Sequence, residues 1–156
     1  MIDANAQVVI SWFEEVWNAG SEAAIDQLMA PAAKFHGLPS ADGGPIVGPA
    51  AFKPFFRSFR SAFPDVRVRV LRTVSEGDLV ASHCRVTGTH AGPGLGVEPS
   101  GANIDFYGVA ITTIRHRQIQ EGWNCFDFLS LYQQVGVLPS RLPQEQRALR
   151  AEASAV

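Results

Sequence analysis

Long apolar runs and closely spaced cysteines are absent from this sequence of 156 residues, and its first residues do not resemble a leader segment. No apolar stretch approaches the ~20 residues that a membrane-spanning helix needs. The first residues, 1–5, have neither the basic region nor the apolar run of a signal peptide. Cys84 and Cys125 are too few for a disulfide framework. These absences predict a reduced, cytoplasmic protein with no membrane partner.

Motifs for metals, phosphates and serine nucleophiles are also missing. No H-x-x-x-H or C-x-x-C spacing occurs, and His83 and Cys84 point to opposite faces of a predicted strand, so we expect no metal site. The segment 92–96 is rich in glycine but lacks a Gly-Lys-Ser/Thr ending, unlike a phosphate-binding loop. No G-x-S-x-G elbow is present. The net charge of −2 gives no electrostatic basis for binding nucleic acid.

The composition is that of one globular domain. The chain is 46% hydrophobic and 18% charged, and its ten Phe and three Trp suffice for a core with aromatic side chains left to line a cavity. We predict one domain over residues 1–138 and a polar, peripheral tail over residues 139–156.

Helices are predicted first. Apolar residues recur at helical spacing in 5–18 and 21–29, and a third helix follows Gly48-Pro49. Pro54 predicts a kink in this helix or its true start. The third helix carries an apolar stripe, which is more typical of a core-facing helix than of a cofactor site; its members are Phe52, Phe55, Phe56, Phe59 and Phe63.

Strands follow the helices. Two hairpins are predicted by alternating residues, and short extended segments near Phe35 and Ile46 add an edge. The hairpin strands are 66–76, 79–90, 104–115 and 118–129. This order predicts an α+β fold in which helices pack on one face of a curved, mostly antiparallel sheet and leave a pocket at its open end.

The last hairpin contains the residues on which the position of this pocket depends. Gly108 and Ala110 are small and would deepen it. They lie close to the segment 123–125 in either register that the turn allows. A one-residue shift decides whether Asn124 or Asp127 shares their face, and both alternatives stay open.

Asp127 is the main catalytic candidate. It lies between Phe126 and Phe128 and four residues after Trp123. Desolvation there would raise the pKa of its carboxyl and make it a general base near neutral pH. The alternative is a structural carboxylate that is hydrogen-bonded to the backbone or to an arginine.

Three further residues are candidates for polar contacts with a ligand. His90 ends a strand and could assist proton transfer or simply anchor the following loop. His36, at the expected pocket rim, has the same two interpretations. Tyr107 could donate to an oxyanion or be a core residue.

Several short segments carry a family resemblance. They are 15–20 (Glu-Val-Trp-Asn-Ala-Gly), 62–65, 76–78, 87–92, 99–101, 119–123 with Asp127, and 133–136. In this order the sequence over about residues 7–138 resembles the SnoaL-like polyketide cyclase family of the nuclear transport factor two-like (cystatin-like) superfamily. The resemblance implies a cone-shaped fold, with three helices around a strongly bent mixed sheet that encloses a pocket, and assembly as a homodimer or tetramer through the sheet.

The resemblance also implies a reaction. The cyclases close a ring by intramolecular aldol condensation without metal or organic cofactor, and an aspartate removes the proton next to a carbonyl. The position of that aspartate falls here on Asn124, which cannot act as the base. A tyrosine of some cyclases falls at Trp17, and a pocket histidine falls near Ala110.

Three functional hypotheses follow. The first is a cofactor-independent cyclase or isomerase that binds a small hydrophobic carbonyl compound, with Asp127 as base. The second is a ligand-binding or interaction protein without catalysis, suggested by Asn124. The third is a small epoxide hydrolase, for which Arg85 and Asp105 are the available candidates. The expected ligand contacts are Asn124, Trp123, Tyr107, Trp17, Phe55 and His36, and the expected catalytic residues are Asp127 and His90.

Overall fold

Three helices lie within the first 62 residues of the computed structural model, which describes residues 1–140. Helix α1 covers Ala4–Ser11 and continues as a π-helix over Trp12–Asn18; α2 is Glu22–Leu28 and α3 is Gly48–Ala62. Asp3 caps α1 by accepting hydrogen bonds from the N–H groups of residues 5 and 6, as the unpaired first turn of a helix requires. The predicted tail lies outside the described residues, except for its first two.

The sheet has six strands in the order β2-β1-β6-β5-β4-β3, and the first two in sequence lie between α2 and α3. The strands are β1 Met29–His36, β2 Ile46–Val47, β3 Arg67–Glu76, β4 Leu79–Thr89, β5 Asn103–Arg115 and β6 Gln118–Phe126. Strands β1 and β6 are parallel, and every other neighbouring pair is antiparallel. The predicted α+β fold, with helices on a curved and mostly antiparallel sheet, is confirmed.

A fourth helix, α4, covers Phe128–Gln134 and was not predicted. The predicted last strand extended to Leu129, but β6 ends at Phe126. The side chain of Asp127 accepts a hydrogen bond from the N–H of Ser130, which is the geometry of a helix N-cap. The cap therefore turns the chain from strand to helix, although the apolar alternation continues through Phe128.

The core lies between the helices and the inner face of the sheet. Helix α3 is continuous through Pro54 and buries Phe52, Phe56 and Phe59 on one side. Phe52 packs against Trp12 and Trp17, with ring centroids 5.2 and 6.0 Å apart. Burial of such a side chain stabilises the fold by roughly 1.5–3 kcal/mol. The predicted apolar stripe is therefore core, but part of it also lines a cavity.

No helix of residues 1–140 is both long enough and apolar enough to cross a membrane.

Candidate functional site

An apolar cavity, here called the inner cavity, lies between α1, α3 and the inner face of the sheet. A water-sized sphere has about 60 Å³ of free space in it. Its lining residues are Trp12, Phe13, Trp17, Phe35, Leu38, Phe52, Phe55, Phe59, Val68, Val86, Phe106, Asn124, Phe126 and Phe128. The π-helical stretch contributes the first three of them, and π-helical turns are frequent at functional sites. None of these lining residues, within the described part of the chain, carries an ionisable group.

Asn124 is the one side chain with a carboxamide in this lining. Its Nδ2 donates a hydrogen bond to the backbone oxygen of His36 over 2.9 Å. Because a carbonyl oxygen can only accept, this bond fixes the orientation of the amide. The acceptor Oδ1 makes no hydrogen bond within residues 1–140 and is the group that remains for a ligand.

The register of the last hairpin brings Asn124 to the cavity. Asn124 is paired with Ala110, and Phe126 is paired with Gly108. Of the two alternatives left open by the sequence, Asn124 therefore shares the inner face. Gly108 does not deepen the cavity, because a Cβ atom there would lie only 2.2 Å from the ring of Phe126. That ring occupies the space over the glycine.

Asp127 lies outside the inner cavity and is exposed. Its Oδ2 accepts from the Ser130 hydroxyl over 2.6 Å and its Oδ1 from the Ser130 N–H over 2.9 Å. Both bonds lower the pKa of Asp127 from its ordinary value because they favour the charged form, and the bond from the Ser130 hydroxyl has the larger effect. The prediction of a desolvated carboxyl with a raised pKa is wrong. The geometry is that of the structural alternative, and a catalytic role stays a prediction.

His90 is fully buried and also lies outside the cavity. Its Nδ1 lies 3.2 Å from the N–H of Ser100 and 3.0 Å from the Ser100 hydroxyl, and its ring packs on Phe63. Its backbone pairs with Ala102 and Gly101. These contacts anchor the loop after β4, which was the structural alternative. Nε2 of His90 is the single buried side-chain nitrogen or oxygen without a partner in the described residues.

The other predicted ligand contacts divide between the two faces of the sheet. Trp17 and Phe55 line the cavity, as expected. Tyr107 and Trp123 are exposed on the outer face and, contrary to the expectation, do not line the inner cavity; contact with a ligand elsewhere stays a prediction. His36 stacks on Trp123, with ring centroids 3.8 Å apart, and its Nε2 lies 2.7 Å from a Glu121 oxygen. It does not line the cavity.

The pair considered for an epoxide hydrolase is likewise on the outer face. Arg85 Nε donates to Asp105 Oδ1 over 2.8 Å, and both side chains are exposed. The guanidinium lowers the pKa of Asp105. The two side chains form an ordinary surface salt bridge, and neither lines the cavity. No three His, Cys, Asp or Glu side chains of residues 1–140 cluster as metal ligands.

A second, wider depression, here called the outer groove, adjoins the cavity. It has about 780 Å³ of space open to a water-sized sphere. Its walls come from the segment 39–47, which includes β2, and from helix α3, the loop after β4 and helix α4. Polar side chains among its lining residues are Ser40, Asp42, Ser58 and Tyr132. Sequence patterns did not predict the groove, because its four walls are remote in sequence.

Comparisons with known proteins agree on one family. Residues 7–135 match the sequence model of the SnoaL-like polyketide cyclases. A candidate SnoaL-like polyketide cyclase from Jannaschia sp. CCS1 is 28% identical, with a TM-score of 0.75 over 87% of this chain and 94% of that chain. IdmH, a candidate polyketide cyclase from Streptomyces antibioticus, is 27% identical, with a TM-score of 0.74 over 85% and 98%.

A third solved structure shows the fold alone. AclR, a candidate hydroxylase from Streptomyces galilaeus, is 24% identical, with a TM-score of 0.76 over 97% of this chain and 92% of that chain. A fold can host unrelated chemistry, so this likeness carries no activity. No match was found among curated proteins.

Proposed function

The chain belongs to the SnoaL-like polyketide cyclase family, and we propose that it binds a small, mostly apolar ring compound in the inner cavity. The supporting observation is the chemistry of the lining, in which Asn124 Oδ1 is an unengaged acceptor among aromatic and aliphatic side chains. Ligand sites are commonly apolar with a few polar groups that fix orientation.

The polar groups define the ligand further. Asn124 Oδ1 accepts a hydrogen bond, so it suits a phenol or enol hydroxyl. Side-chain donors among the lining residues of the described chain are the indole N–H groups of Trp12 and Trp17 and the second N–H of Asn124 Nδ2. A carbonyl group on the ring of a ligand would accept a hydrogen bond from one of these N–H groups. A compound that carries both a hydroxyl and a carbonyl on an apolar ring system fits this set.

Binding without proton abstraction is the function that the cavity supports best. A general base must come within hydrogen-bond reach of the proton that it removes. Asp127 is turned away from the cavity as a helix cap, and His90 is enclosed in a loop. Within residues 1–140 the lining offers an amide at the position where the resemblance to the cyclases implies a catalytic carboxylate.

Ring closure in the same cavity is a second candidate, and the family match favours it. Without a base, the cavity could act by holding two reacting carbons together, since well-oriented intramolecular reactions gain up to about 7–11 kcal/mol from proximity. This candidate is tested by following aldol closure of an aryl 1,5-diketone by NMR. Faster closure in the presence of the protein than in buffer alone supports it, and equal rates contradict it.

Ligand binding is tested with matched probes in a Trp123→Phe background. Trp12 and Trp17 line the cavity, whereas Trp123 is exposed outside it, so the remaining fluorescence reports on the cavity. We expect 1-naphthol to bind roughly two- to tenfold more tightly than naphthalene, because one hydrogen bond contributes about 0.5–1.5 kcal/mol.

Asn124→Leu is the control for this probe pair. It removes the acceptor, so the preference for 1-naphthol should disappear while the affinity for naphthalene changes little. The unchanged naphthalene affinity shows that the cavity is intact. A preference that survives Asn124→Leu contradicts the role of Asn124, and failure of both probes to bind contradicts the proposed function.

A homodimer through the outer face of the sheet is also proposed. Tyr107, Val109, Ile111 and Trp123 project from β5 and β6 and are 42–55% exposed. Apolar surface of this kind is typical of protein interfaces. Ile111→Glu should convert the dimer to a monomer in sedimentation experiments, whereas Leu129→Glu, on α4, should not. A monomeric unmodified protein at high concentration contradicts the proposal.

A further inference from the structure

Three phenylalanines separate the inner cavity from the outer groove. Phe55, Phe59 and Phe128 line both spaces, so their rings lie between them. The two spaces are therefore neighbouring compartments of one depression, divided by side chains and not by backbone. Side-chain rotamers can change without movement of the backbone, and such changes occur on short timescales.

The volumes show that this division matters for any ligand. The inner cavity has about 60 Å³ of free space, whereas an apolar cavity of about 150 Å³ is known to hold benzene. Ligand pockets are commonly about 300–1,000 Å³, and the outer groove, at about 780 Å³, lies in that range. The free space of the cavity is too small for a ring, and displacement of the phenylalanines that it shares with the groove would enlarge it.

Phe128 has the fewest ring neighbours of the three phenylalanines, since Phe55, also half-buried, lies 5.9–6.1 Å from Phe52, Trp17 and Phe59. Phe59 is buried on α3, with its centroid 4.9 Å from Phe63 and 5.6 Å from Trp17. Phe128 is half-buried on α4, and its nearest ring centroids, those of Phe106 and Phe126, are 6.3 and 6.4 Å away. Rotation of Phe128 gives up less packing than rotation of Phe59.

The two compartments differ in polarity. The cavity is aromatic around the Asn124 acceptor, whereas the groove includes Asp42 and the hydroxyl of Tyr132. Hydrogen bonds to the Asp42 carboxyl lower its pKa, and the bond from the Gly44 N–H has the largest effect. The carboxyl is therefore anionic at neutral pH. An anionic group in the groove disfavours an anionic ligand end and is compatible with a neutral, hydroxylated one.

We propose that the ligand is an elongated molecule whose apolar ring system occupies the inner cavity and whose neutral, hydroxylated extension lies in the outer groove, with Phe128 as the gate between them. This inference rests on the proposed function, because it requires that the cavity binds a ring compound. It adds a second subsite, the chemical character of the group that fills it and the side chain that controls passage.

The subsite is tested with three probes that share a 1-naphthol ring. The first is 1-naphthol, the second carries a short hydroxyl-terminated glycol chain at carbon 5, and the third carries the same chain ending in a carboxylate. We expect the glycol probe to bind at least threefold more tightly than 1-naphthol and the carboxylate probe to bind more weakly than the glycol probe. Asp42→Asn should reduce the difference between the two extended probes.

Ala51→Trp provides a matched block of the groove. Ala51 is exposed on α3 and lines the groove but not the cavity. The substitution should remove the advantage of the glycol probe and leave the affinity for 1-naphthol unchanged. Equal affinity of the glycol probe and 1-naphthol for the unmodified protein overturns the second subsite.

The gate is tested by stopped-flow fluorescence in the Trp123→Phe background. Phe128→Ala should raise the association rate of 1-naphthol at least tenfold, and Phe128→Leu should raise it less. Leu129→Ala, at the neighbouring exposed position, should leave it unchanged. An unchanged rate in a folded Phe128→Ala or Phe128→Leu protein overturns the gate. If no probe binds at all, the proposed function fails; if 1-naphthol binds but the extension adds nothing, only this inference fails.

Discussion

Substitution of Asp127 distinguishes a helix cap from a catalytic base. Both carboxylate oxygens accept hydrogen bonds from Ser130 at the start of α4. Asn is as good an N-cap as Asp, whereas Ala cannot accept a hydrogen bond, and loss of a cap costs about 0.5–2 kcal/mol. We therefore expect Asp127→Ala to reduce the free energy of unfolding by about 1 kcal/mol and Asp127→Asn to reduce it by less than half of that.

The measurement is urea unfolding together with thermal melting. For a chain of this size, a loss of 1 kcal/mol lowers Tm by roughly 2–4 °C. The same proteins are titrated with 1-naphthol and, if ring closure of the diketone is observed, assayed for that reaction. If Asp127 is a helix cap, the Asp127→Asn protein should bind 1-naphthol and react with the diketone like the unmodified protein. A base predicts a loss of turnover in Asp127→Asn of about 10²–10⁴-fold without any loss of stability.

The pH dependence gives an independent check. The pKa of Asp127 is lowered in the folded protein by the hydrogen bonds from Ser130, below an unfolded value of about 3.9. A carboxyl with a depressed folded pKa contributes stability above its unfolded pKa, and this stability is lost as the pH falls through the folded pKa. The stability difference between the unmodified protein and Asp127→Ala should therefore shrink in acid. A difference that is constant from pH 7 to pH 2, or absent at pH 7, refutes the cap.

Two further substitutions test the cavity. Asn124→Asp introduces a carboxyl among apolar side chains and removes the hydrogen bond to His36. Desolvation should raise the pKa of the new carboxyl. The stability of the variant should therefore fall as the pH rises through that pKa, which is the opposite of the dependence expected for Asp127. NMR titration of the new carboxyl measures its pKa. Gly108→Ala places a Cβ atom 2.2 Å from the Phe126 ring; displacement of this ring into the cavity should cost about 1–3 kcal/mol and weaken naphthalene binding. Unchanged stability and unchanged naphthalene affinity in Gly108→Ala would show that Phe126 moves elsewhere.

The helices and hairpins could be predicted because their signals are local. The phenylalanine stripe of α3 has a period that only a helix turns into one face, and Phe52, Phe56 and Phe59 are indeed buried there. The alternation of β3 and β4 and the Gly77-Asp78 turn predicted an antiparallel pair, which is observed. The family resemblance is confirmed over residues 7–135.

Helix α4 could not be predicted from the same kind of signal. Phe126 and Phe128 continue the alternation of a strand, and the hydrogen bonds from Ser130 to Asp127 appear only when the chain has turned. Alternation describes which residues share a face, but it does not say where pairing with the neighbouring strand stops. The last hydrogen bond between this segment and β5 runs from the Asp127 N–H to the backbone oxygen of Tyr107.

The sequence by itself determined the fold class, the family and the aromatic character of the core, because composition, periodicity and motif order depend on the chain alone. Tertiary structure decided which face of β6 is inside. Both faces carry large or apolar side chains, so the period of two cannot distinguish Trp123 from Asn124. The irregularity between Thr113 and Ile114, next to the turn at His116 and Arg117, sets the register. It brings Asn124 into the cavity and leaves Trp123 outside, and the outer groove likewise exists only where segments remote in sequence meet.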